Sequence, residues 1–423
     1  MRRHVFACVD CNNFYVSCER VFDAKLSRRA VVVLSNNDGC VISRSEEAKA
    51  LGVRMGAPYF RVRALCEREG VAVLSSNYAL YGDLSRRVME TLAEFTPELD
   101  PYSIDEAFLN LSHLEGDSLA ELAREVRARV LRWTGVPVAV GVAPTKTLAK
   151  LGATLAKRSA KARGVVNLLD ARHADSALAR TAVGDVWNVG PRLARRLTGA
   201  GIETAAQLRG ADARAWRRRT SVALERVIME LRGVSCLPLS LCQPARKSAV
   251  CSRSFGRPVE SLAELREAVA YYATRAAEKI RRAGLAAGAL VVFVSTSRFG
   301  GEPQYSNSAA LPLGVPSSFT PELIRCARLG LGRIFRDGLR YKKAGVMLLD
   351  LAPAAPAQVG MFDEVDRGRA ERLMRVVDAV NARMGAETLR FAASGYGREW
   401  KMLREHCSPR YTTNWDELLL LRS

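Results

Sequence analysis

The stretch Tyr102-Ser103-Ile104-Asp105-Glu106-Ala107 places two adjacent carboxylates in an apolar setting, directly before Phe108 and Leu109. Burying such charges costs several kcal/mol unless a cation or another partner compensates for them. A turn between two strands, with both acids in solvent, is the simplest interpretation of this pair taken alone. A metal site is the alternative. Because neighbours on a regular strand point to opposite faces, the two acids can share such a site only at a bend or a strand end.

A third carboxylate strengthens the metal interpretation. Asp10 ends the apolar run 4–9, which is typical of a buried strand. Three carboxylates at the ends of central strands can hold two divalent cations about 4 Å apart, the arrangement used for in-line phosphoryl transfer. The next stretch, Cys11-Asn12-Asn13-Phe14-Tyr15, is either aromatic core or the turn beside a metal ligand. In the second case a flat aromatic ring would exclude a ribose 2′-hydroxyl by contact.

The length and the net charge limit which class of protein this chain can belong to. The chain has 423 residues, 48% of them hydrophobic, which predicts three or four domains rather than one core. Its formal charge of +20 is spread along the chain, and arginine is preferred to lysine. A compositional bias explains a preference for arginine but not the excess over acids, so nucleic acid is the expected partner. No apolar run reaches membrane-spanning length and the N-terminus lacks a signal-peptide core, so we expect a soluble cytoplasmic protein.

The cysteines do not form a framework. Cys8 and Cys11 have C-x-x-C spacing, but on a strand their sulfurs would point to opposite faces. No second pair follows at zinc-finger spacing. We expect buried, reduced thiols, with a metal or redox role as the alternative.

A basic helix is predicted over residues 145–158. On a helix, Lys146, Lys150 and Lys157 lie within about 60° of one another. This stripe is either a solvated face or the binding site for a polyanion beside the carboxylates, with Lys157 reaching a triphosphate.

Residues 23–76 are predicted to form a small inserted subdomain. Its elements are a strand, a turn and a helix, at 30–34, 36–39 and 45–51. Glu46 and Lys49 lie three residues apart on that helix, where a surface ion pair is the default expectation. Further on, helices at 77–95 and 119–133 flank the acidic strands, and a strand follows at 136–142.

The segment around Gly190-Pro191 predicts a helix-hairpin-helix. Proline favours the first turn of a helix, and free amides at that N-terminus bind a DNA phosphate without reading sequence. The expected contacts come from Val189, Gly190 and Arg192. Asn188 replaces the first glycine of the usual hairpin, and asparagine tolerates positive φ better than most residues.

The C-terminal half contains two predicted linkers, 236–247 and 352–360. Between them the order of strands and helices is split β-α-β-β-α-β. The elements are predicted at 250–255, 261–282, 290–296, 305–311, 321–336 and 344–351. After the second linker, an apolar peptide at Gln358 to Phe362 either docks into a partner groove or packs locally, and one helix is predicted at 371–383.

These residues, taken in order, resemble the Y-family lesion-bypass DNA polymerases, and most closely the UmuC-type catalytic subunits of bacterial DNA polymerase V and their plasmid-borne relatives. The resemblance runs nearly end to end. Beyond the carboxylates, it is carried by Leu34-Ser35-Asn36-Asn37-Asp38-Gly39-Cys40-Val41-Ile42, Ser75-Ser76-Asn77-Tyr78, Thr145-Lys146-Thr147-Leu148-Ala149-Lys150, Cys251-Ser252-Arg253-Ser254-Phe255-Gly256 and Ser408-Pro409-Arg410-Tyr411-Thr412-Thr413.

The resemblance implies an α+β right hand with a fifth, partner-binding part. The implied divisions are palm (1–22 and 77–167), fingers (23–76), helix-hairpin-helix thumb (168–236), linker (237–247), little finger (248–351) and C-terminal tail (352–423). The implied activity is error-prone, DNA-directed synthesis past damaged template bases in the bacterial SOS response.

The resemblance also implies roles for single residues. Asp10, Asp105, Glu106 and the Cys11 carbonyl would hold two Mg²⁺ ions. Tyr15 would be the steric gate against ribonucleotides, with Phe14 beside it, and Lys49 and Lys157 would meet the triphosphate. Cys40, Ile42 and Gly56 would lie over the templating base pair. Gln358, Met361 and Phe362 would be the sliding-clamp peptide.

Two departures from the family pattern stand out. Many members have Tyr and Arg where this chain has Glu46 and Lys49. Lys49 can bind phosphate only as a point charge, and Glu46 would repel a triphosphate, so it is assigned no binding role. Met361 stands where the clamp peptide usually has leucine.

The implied partners are primer-template DNA, dNTPs, a UmuD-type dimer, RecA and the sliding clamp, in a bacterial, nucleoid-associated setting. Two other functions remain open at this point. A palm-based nucleotidyl cyclase shares the carboxylates but needs neither a hairpin thumb nor a basic domain. A non-enzymatic DNA-damage scaffold would not need the carboxylates at all.

Overall fold

The computed structural model describes residues 4–114, 118–241, 245–299, 301, 303–354, 363 and 365–418. The chain forms two compact units. The first comprises Met1–Ser35, Gly39–Gln243 and His406–Ser423, and the second comprises Asn36–Asp38 and Pro244–Glu405.

A five-stranded sheet is the centre of the first unit. Its strands are β1 (Phe6–Cys11), β5 (Leu99–Pro101), β6 (Glu106–Asn110), β7 (Val138–Ala143) and β8 (Val165–Asn167), in the spatial order β5-β6-β1-β7-β8. Strand β1 is buried along its whole length. Continuous apolar runs of this kind are typical of strands that are covered on both faces.

Helices cover both faces of this sheet. One face packs against α1 (Phe14–Phe22), α4 (Tyr78–Ala93) and α5 (Ser118–Thr134). The other packs against α6 (Lys146–Arg158) and the helical segment that follows it. Alternate residues of β1 therefore enter different cores, with Cys11 in the first and Cys8 in the second. Both are buried free thiols on opposite faces, as the sequence predicts.

A smaller three-stranded sheet completes the N-terminal part of this unit. Its strands are β2 (Val31–Leu34), β3 (Val41–Arg44) and β4 (Ala72–Ser75), in the order β3-β2-β4, and its helices are α2 (Glu46–Ala50) and α3 (Tyr59–Arg68). The predicted helix at 45–51 is confirmed, because the Ser45 side chain accepts from the Ala48 amide and starts α2.

All the regular elements in residues 171–231 are helices. These are α7 (Ala171–Arg180), α8 (Pro191–Thr198), α9 (Ala205–Gly210), α10 (Ala213–Arg219) and α11 (Val222–Leu231), with one 3-10 turn at Val183–Asp185. Gly190 caps α8 and Pro191 is its first residue. Asn188 has a φ of 67°, so it adopts the left-handed conformation expected of it in place of glycine.

The second unit contains the predicted split β-α-β-β-α-β order, which is confirmed. Its elements are β9 (Ala249–Val259), α12 (Leu262–Arg282), β10 (Leu285–Thr296), β11 (Ser306–Ser317), α13 (Thr320–Ile334) and β12 (Tyr341–Pro353). The strand order is β11-β10-β12-β9. Pro258 and Pro312 lie on the two outer strands, where proline is tolerated because an N–H on the outer side has no strand to pair with. A further helix, α14 (Arg367–Met384), follows.

One predicted boundary differs from the structure, and other predicted segments lie outside the described residues. Residues 352 and 353, predicted as linker, pair with Ala286 and Leu285 and so extend β12. Residues 242–244 of the first linker and the predicted clamp peptide (Gln358, Met361 and Phe362) lie outside the described residues. The division into palm, fingers, thumb, little finger and tail stays a prediction, and residues 352–423 are shared between the two units.

No helix in the described ranges is both long and apolar enough to cross a membrane.

Candidate active site

Two of the predicted carboxylates face each other across neighbouring strands. Asp10 of β1 and Glu106 of β6 are directly paired in the antiparallel register. Side chains of such pairs lie on the same face, about 5 Å apart at Cβ. Their face is the one that α6 covers, because Cys8 and Phe108, two residues away on each strand, belong to that core.

Asp105 lies at a bend, which is required if Asp105 and its neighbour Glu106 are to share one metal site. Residues 103–105 form the bend, and β6 begins at Glu106. The Cys11 amide donates to the Asp105 carbonyl at 2.8 Å, which ties this bend to the end of β1. The Asp105 carboxylate accepts from the Ser103 hydroxyl at 2.7 Å. Asp105 is thus held beside Asp10 and Glu106 without continuing their strand.

Two glycines set the distance between α6 and the sheet. A Cβ at Gly141 of β7 would lie 2.1 Å from both the Ala149 carbonyl oxygen and the Ala153 nitrogen, and one at Gly152 would lie 3.0 Å from the Gly141 Cα. Helix backbone and strand backbone are therefore in direct contact. Gly141 is paired with Cys8 of β1, so this contact brings α6 over the acidic end of the sheet.

Lysines from α6 lie on the predicted metal ligands. Lys150 Nζ donates to Asp10 Oδ2 at 3.0 Å and also contacts Glu106 Oε1. Lys157 Nζ contacts Asp10 Oδ1 and donates to the Cys11 carbonyl at 2.7 Å. The sequence identified Lys157 but assigned no role to Lys150, although both lie on the predicted basic stripe, seven residues apart.

The third lysine of that stripe does not join them. Lys146 is 5% exposed and donates to Asp100 Oδ2 at 2.6 Å and to the Pro238 carbonyl at 2.9 Å. Neither interpretation of the stripe, as a solvated face or as a polyanion-binding face, holds for Lys146. Lys146 lies in the first turn of α6, where the carboxylate within its reach is the buried one on β5.

The charged groups of the site shift one another's pKa values. Burial and the neighbouring Asp10 raise the pKa of Glu106 above its ordinary value, and the hydrogen bond from Lys150 opposes this rise. Burial opposes the charge on Lys150, but Asp10 and Glu106 outweigh it and raise the pKa of the Lys150 ammonium. Burial raises the pKa of the Cys8 and Cys11 thiols, so neither is a reactive thiolate near neutral pH. The negative charge of Asp10 and Glu106 is thus offset by the ammonium groups of Lys150 and Lys157.

The donor atoms fit divalent cations that prefer oxygen. Carboxylates and a backbone carbonyl are the ligands typical of Mg²⁺. Cationic Nζ atoms already contact oxygens of Asp10, Glu106 and Cys11. Among the described residues, no three side chains of His, Cys, Asp or Glu close around one point by themselves. Asp105 as a ligand therefore remains a prediction.

The predicted gate residue lies in the first turn of α1, four residues after Cys11. Tyr15 is half-buried at the start of α1, and its ring stacks on Tyr81 with centroids 4.4 Å apart. Burial raises the pKa of the Tyr15 phenol, and the charges of Tyr78 and Asp105 add to the rise. The Phe14 side chain is a core residue, 4% exposed. Any contact of Phe14 with a nucleotide would come from its backbone.

Lys49 and Glu46 form the ion pair that the sequence predicts. Lys49 Nζ donates to Glu46 Oε1 at 2.6 Å, and Asn13 Nδ2 donates to the same oxygen at 3.0 Å. Burial alone would raise the pKa of Glu46, but the hydrogen bonds from Lys49 and Asn13 lower it. Glu46 therefore connects α2 to the turn after β1 and holds Lys49 near that turn.

The three residues predicted over the base pair belong to one local structure. Gly56 donates its amide to the Val41 carbonyl at 2.8 Å, between Cys40 and Ile42. Gly56 has a φ of +75°, and a Cβ there would meet nothing within 4 Å. Cys40 and Ile42 are half-buried and Gly56 is exposed, so this corner presents a small, uncharged surface.

The residues of the predicted hairpin have different environments. Val189 is buried, whereas Gly190 and Arg192 are exposed. A Cβ at Gly190 would meet nothing within 4 Å. Gly190 and Arg192 are thus accessible at the N-terminus of α8, whereas the Val189 amide donates to the Val186 carbonyl at 3.0 Å.

Residues 9–154 match the impB/mucB/samB family, residues 246–361 match the C-terminal domain of that family, and residues 371–420 match a domain of unknown function (DUF4113). The chain is 46% identical to Protein UmuC of Salmonella typhimurium over 99% of this chain and 100% of that protein. It is 28% identical to DNA polymerase IV of Caulobacter vibrioides over 89% of this chain and 91% of that protein.

A solved structure supports the fold. The Y-family DNA polymerase chimera Dbh-Dpo4(243-245)-Dbh aligns with 82% of this chain and 99% of its own, with a TM-score of 0.65 and 20% identity. The predicted α+β right-hand fold is confirmed by this alignment. The family models and the full-length relatives show that the chain belongs to the UmuC-like Y-family DNA polymerases, which are DNA-directed DNA polymerases of translesion synthesis.

Proposed function

We propose that the chain performs error-prone synthesis past damaged bases, in the SOS response, with two Mg²⁺ ions held by Asp10, Asp105, Glu106 and the Cys11 carbonyl. The observation that carries this proposal is the direct pairing of Asp10 with Glu106, with Lys150 and Lys157 on their oxygens. When bound, the ions supply activation of the primer 3′-hydroxyl and neutralise charge on the triphosphate and the leaving pyrophosphate.

The lysines of α6 have two tasks in this proposal. Without bound ions they neutralise the carboxylates, which keeps the strand ends in register despite the repulsion between Asp10 and Glu106. With nucleotide present, Lys157 turns from Asp10 to the triphosphate, whose several charged oxygens accept strong hydrogen bonds from an ammonium group. Lys150 lies deeper, and it stays close enough to offset charge at the reacting end.

Lys49 is the second proposed triphosphate ligand. Its ammonium group is held by Glu46, which also contacts the turn after β1. The side chain is 36% exposed, so it can leave Glu46 for a phosphate at little cost. Because lysine binds as a point charge, we expect charge neutralisation from Lys49 but no bidentate orientation of the phosphate.

The pocket is proposed to be permissive towards the template and strict towards the sugar. Cys40, Ile42 and Gly56 present little side-chain bulk, so damaged or mispaired bases meet few contacts that reject them. Tyr15 is the steric gate, because its ring is held by stacking on Tyr81 and would contact a 2′-hydroxyl. Low selectivity at the base and high selectivity at the sugar is what lesion bypass on DNA requires.

DNA is proposed to be held through its backbone. The exposed N-terminus of α8 at Gly190, with Arg192 beside it and the buried Val189 supporting the turn, suits one phosphate of the duplex. The four-stranded sheet of β9–β12, in a chain of net charge +20, suits further phosphate contacts. Such contacts are independent of sequence, as a polymerase needs.

Protein partners are proposed from the family alone. They are a UmuD-type dimer, RecA and the sliding clamp, the last through Gln358, Met361 and Phe362. The proposed setting is the bacterial cytoplasm, at the nucleoid. A pull-down that compares the full chain with one lacking residues 352–423 tests these contacts; retention of every partner by the shortened chain would exclude the tail.

The test of the activity is primer extension on an abasic template with Mg²⁺, with and without RecA and a UmuD-type partner. Wild type is compared with Asp105→Asn, which removes one charge and keeps the shape. We expect extension by wild type and none by the variant. Equal extension by both would refute the metal assignment. If neither extends primers under any condition but both bind DNA, the scaffold alternative is favoured.

A further inference from the structure

A buried glutamate near the active site has no role in the chemistry proposed above. Glu19 of α1 is 1% exposed. Its Oε1 accepts from the Tyr81 hydroxyl at 2.6 Å and from the Ser408 hydroxyl at 3.1 Å. A carboxylate is costly to bury, so its partners are expected to have a specific task.

The first partner leads directly to the predicted gate. Tyr81 of α4 is fully buried, and its ring stacks on Tyr15 with an interplanar angle of 15°. Tyr15 and Glu19 lie one turn apart on α1, so they share one side of that helix. Tyr81 thus contacts both, with its ring on Tyr15 and its hydroxyl on Glu19. A shift of the Tyr81 ring would carry over to the ring of Tyr15.

The second partner belongs to residues 406–411, which we name the C-terminal strap. Strap and strand β4 are bridged at Ser75 and Cys407. The Ser75 amide donates to the His406 carbonyl at 2.9 Å, and Tyr411 stacks on Phe22 of α1 with centroids 4.8 Å apart. The strap therefore contacts β4 and the far end of α1, with Ser408 between these two points.

Asn77 joins the strap to the helix that carries Tyr81. Its Nδ2 donates to the Ser408 hydroxyl at 2.9 Å and to the Ser408 and Pro409 carbonyls at 3.1 and 3.0 Å. Its Oδ1 accepts from the Leu80 amide at 3.3 Å, at the N-terminus of α4. Asn77 is 2% exposed. The segments 75–78 and 408–413, distant in sequence, meet here.

We propose that the C-terminal strap positions the steric gate, with Ser408 and Glu19 holding Tyr81, and Tyr81 holding Tyr15. Discrimination against ribonucleotides then depends on residues 406–411 as well as on the gate. This inference rests on the proposed role of Tyr15. Ser408, Glu19 and Tyr81 are positioning residues, since they act through Tyr15 rather than on the nucleotide.

The test measures kcat/KM for dCTP and for CTP opposite a template guanine, with the full chain and a primer-template. The variants are Tyr15→Ala, Ser408→Ala, Tyr81→Phe and the conservative Ser408→Thr. Tyr81→Phe removes the hydroxyl and keeps the stacked ring. We expect Ser408→Ala and Tyr81→Phe each to lower the dCTP/CTP ratio about tenfold, equivalent to about 1.4 kcal/mol, mainly through a gain in CTP use. Ser408→Thr should keep the wild-type ratio.

The outcomes separate the two assignments. If Tyr15→Ala leaves the ratio unchanged, the gate assignment fails, and the inference fails with it. If Tyr15→Ala lowers the ratio but Ser408→Ala and Tyr81→Phe do not, the inference alone is refuted. A merely structural effect would lower both kcat/KM values in parallel and leave the ratio constant, which also refutes it. Thermal unfolding shows whether each variant folds. If Ser408→Ala or Tyr81→Phe does not fold, the other of these two variants decides the outcome.

Discussion

Gly141→Ala is expected to inactivate the site without changing any residue that binds metal, nucleotide or DNA. The added Cβ would lie 2.1 Å from the Ala149 oxygen and the Ala153 nitrogen, both backbone atoms that no rotamer change can move. Ordinary contact begins near 3.4 Å, so α6 must retreat from the sheet by roughly 1 Å. Lys150 follows Ala149 directly and moves with it, away from Asp10.

Two quantities should change. Overpacking of this kind costs about 1–3 kcal/mol of folding stability. A misplacement of about 1 Å in a catalytic constellation lowers the rate by roughly a hundredfold. Thermal unfolding measures the first and single-nucleotide primer extension the second, at a temperature where the variant is folded.

A second glycine offers a matched control. Gly82 lies within α4 of the same unit, and a Cβ there would meet nothing within 4 Å. Gly82→Ala should therefore leave activity unchanged and raise stability by about 0.5–1 kcal/mol. Wild-type stability and extension rate in Gly141→Ala would refute the argument, since they would mean that α6 does not pack on the sheet as closely as described.

Three further predictions follow from single contacts. Lys150→Met should lower the Mg²⁺ concentration for half-saturation about tenfold, because the competing charged contacts with Asp10 and Glu106 are lost; calorimetric titration without DNA measures this, and unchanged affinity would contradict it. Tyr15→Ala should admit ribonucleotides, and unchanged sugar discrimination in primer extension would remove the gate assignment. Asp100→Asn leaves the buried Lys146 without its counter-charge and should cost about 3–5 kcal/mol in chemical denaturation. The control is Glu371→Gln in an exposed pair, expected to cost under about 1 kcal/mol; equal losses would refute the buried-pair argument.

Much of the first unit could be predicted because its pattern is local. An unbroken apolar run ending in Asp10 identifies a buried strand with an acid at its end, and an Asp-Glu pair before another apolar run identifies the second. Asn188 was predictable for a conformational reason, since few other residues accept its backbone angles. Strand ends were less predictable. Strands β9, β10 and β12 extend beyond their apolar centres because backbone pairing, not side-chain polarity, decides where they end.

The side-chain contacts were harder to predict than the elements. A helical stripe groups Lys146, Lys150 and Lys157 by angle, but their heights along α6 decide which acids they meet. Lys146 meets Asp100, while the other two meet Asp10. No periodicity relates Ser408 to Glu19, since their contact depends on how the chain returns to α1 after the second unit. Sequence patterns report faces and ends of elements, whereas such contacts depend on tertiary packing.

Helix α6, which carries Lys150 and Lys157, also explains how so acidic a site can fold. Asp10 and Glu106 are directly opposite, where like charges are destabilising. Lys150 contacts both acids, and the close approach at Gly141 and Gly152 fixes the helix that carries it. Folding therefore does not require bound ions, because the chain brings its own counter-charges. The Lys157 ammonium must leave Asp10 before a metal ion can bind that oxygen, and a triphosphate offers it new acceptors. We therefore expect nucleotide and divalent cation to bind cooperatively to this site, each favouring the arrangement of α6 side chains that the other requires.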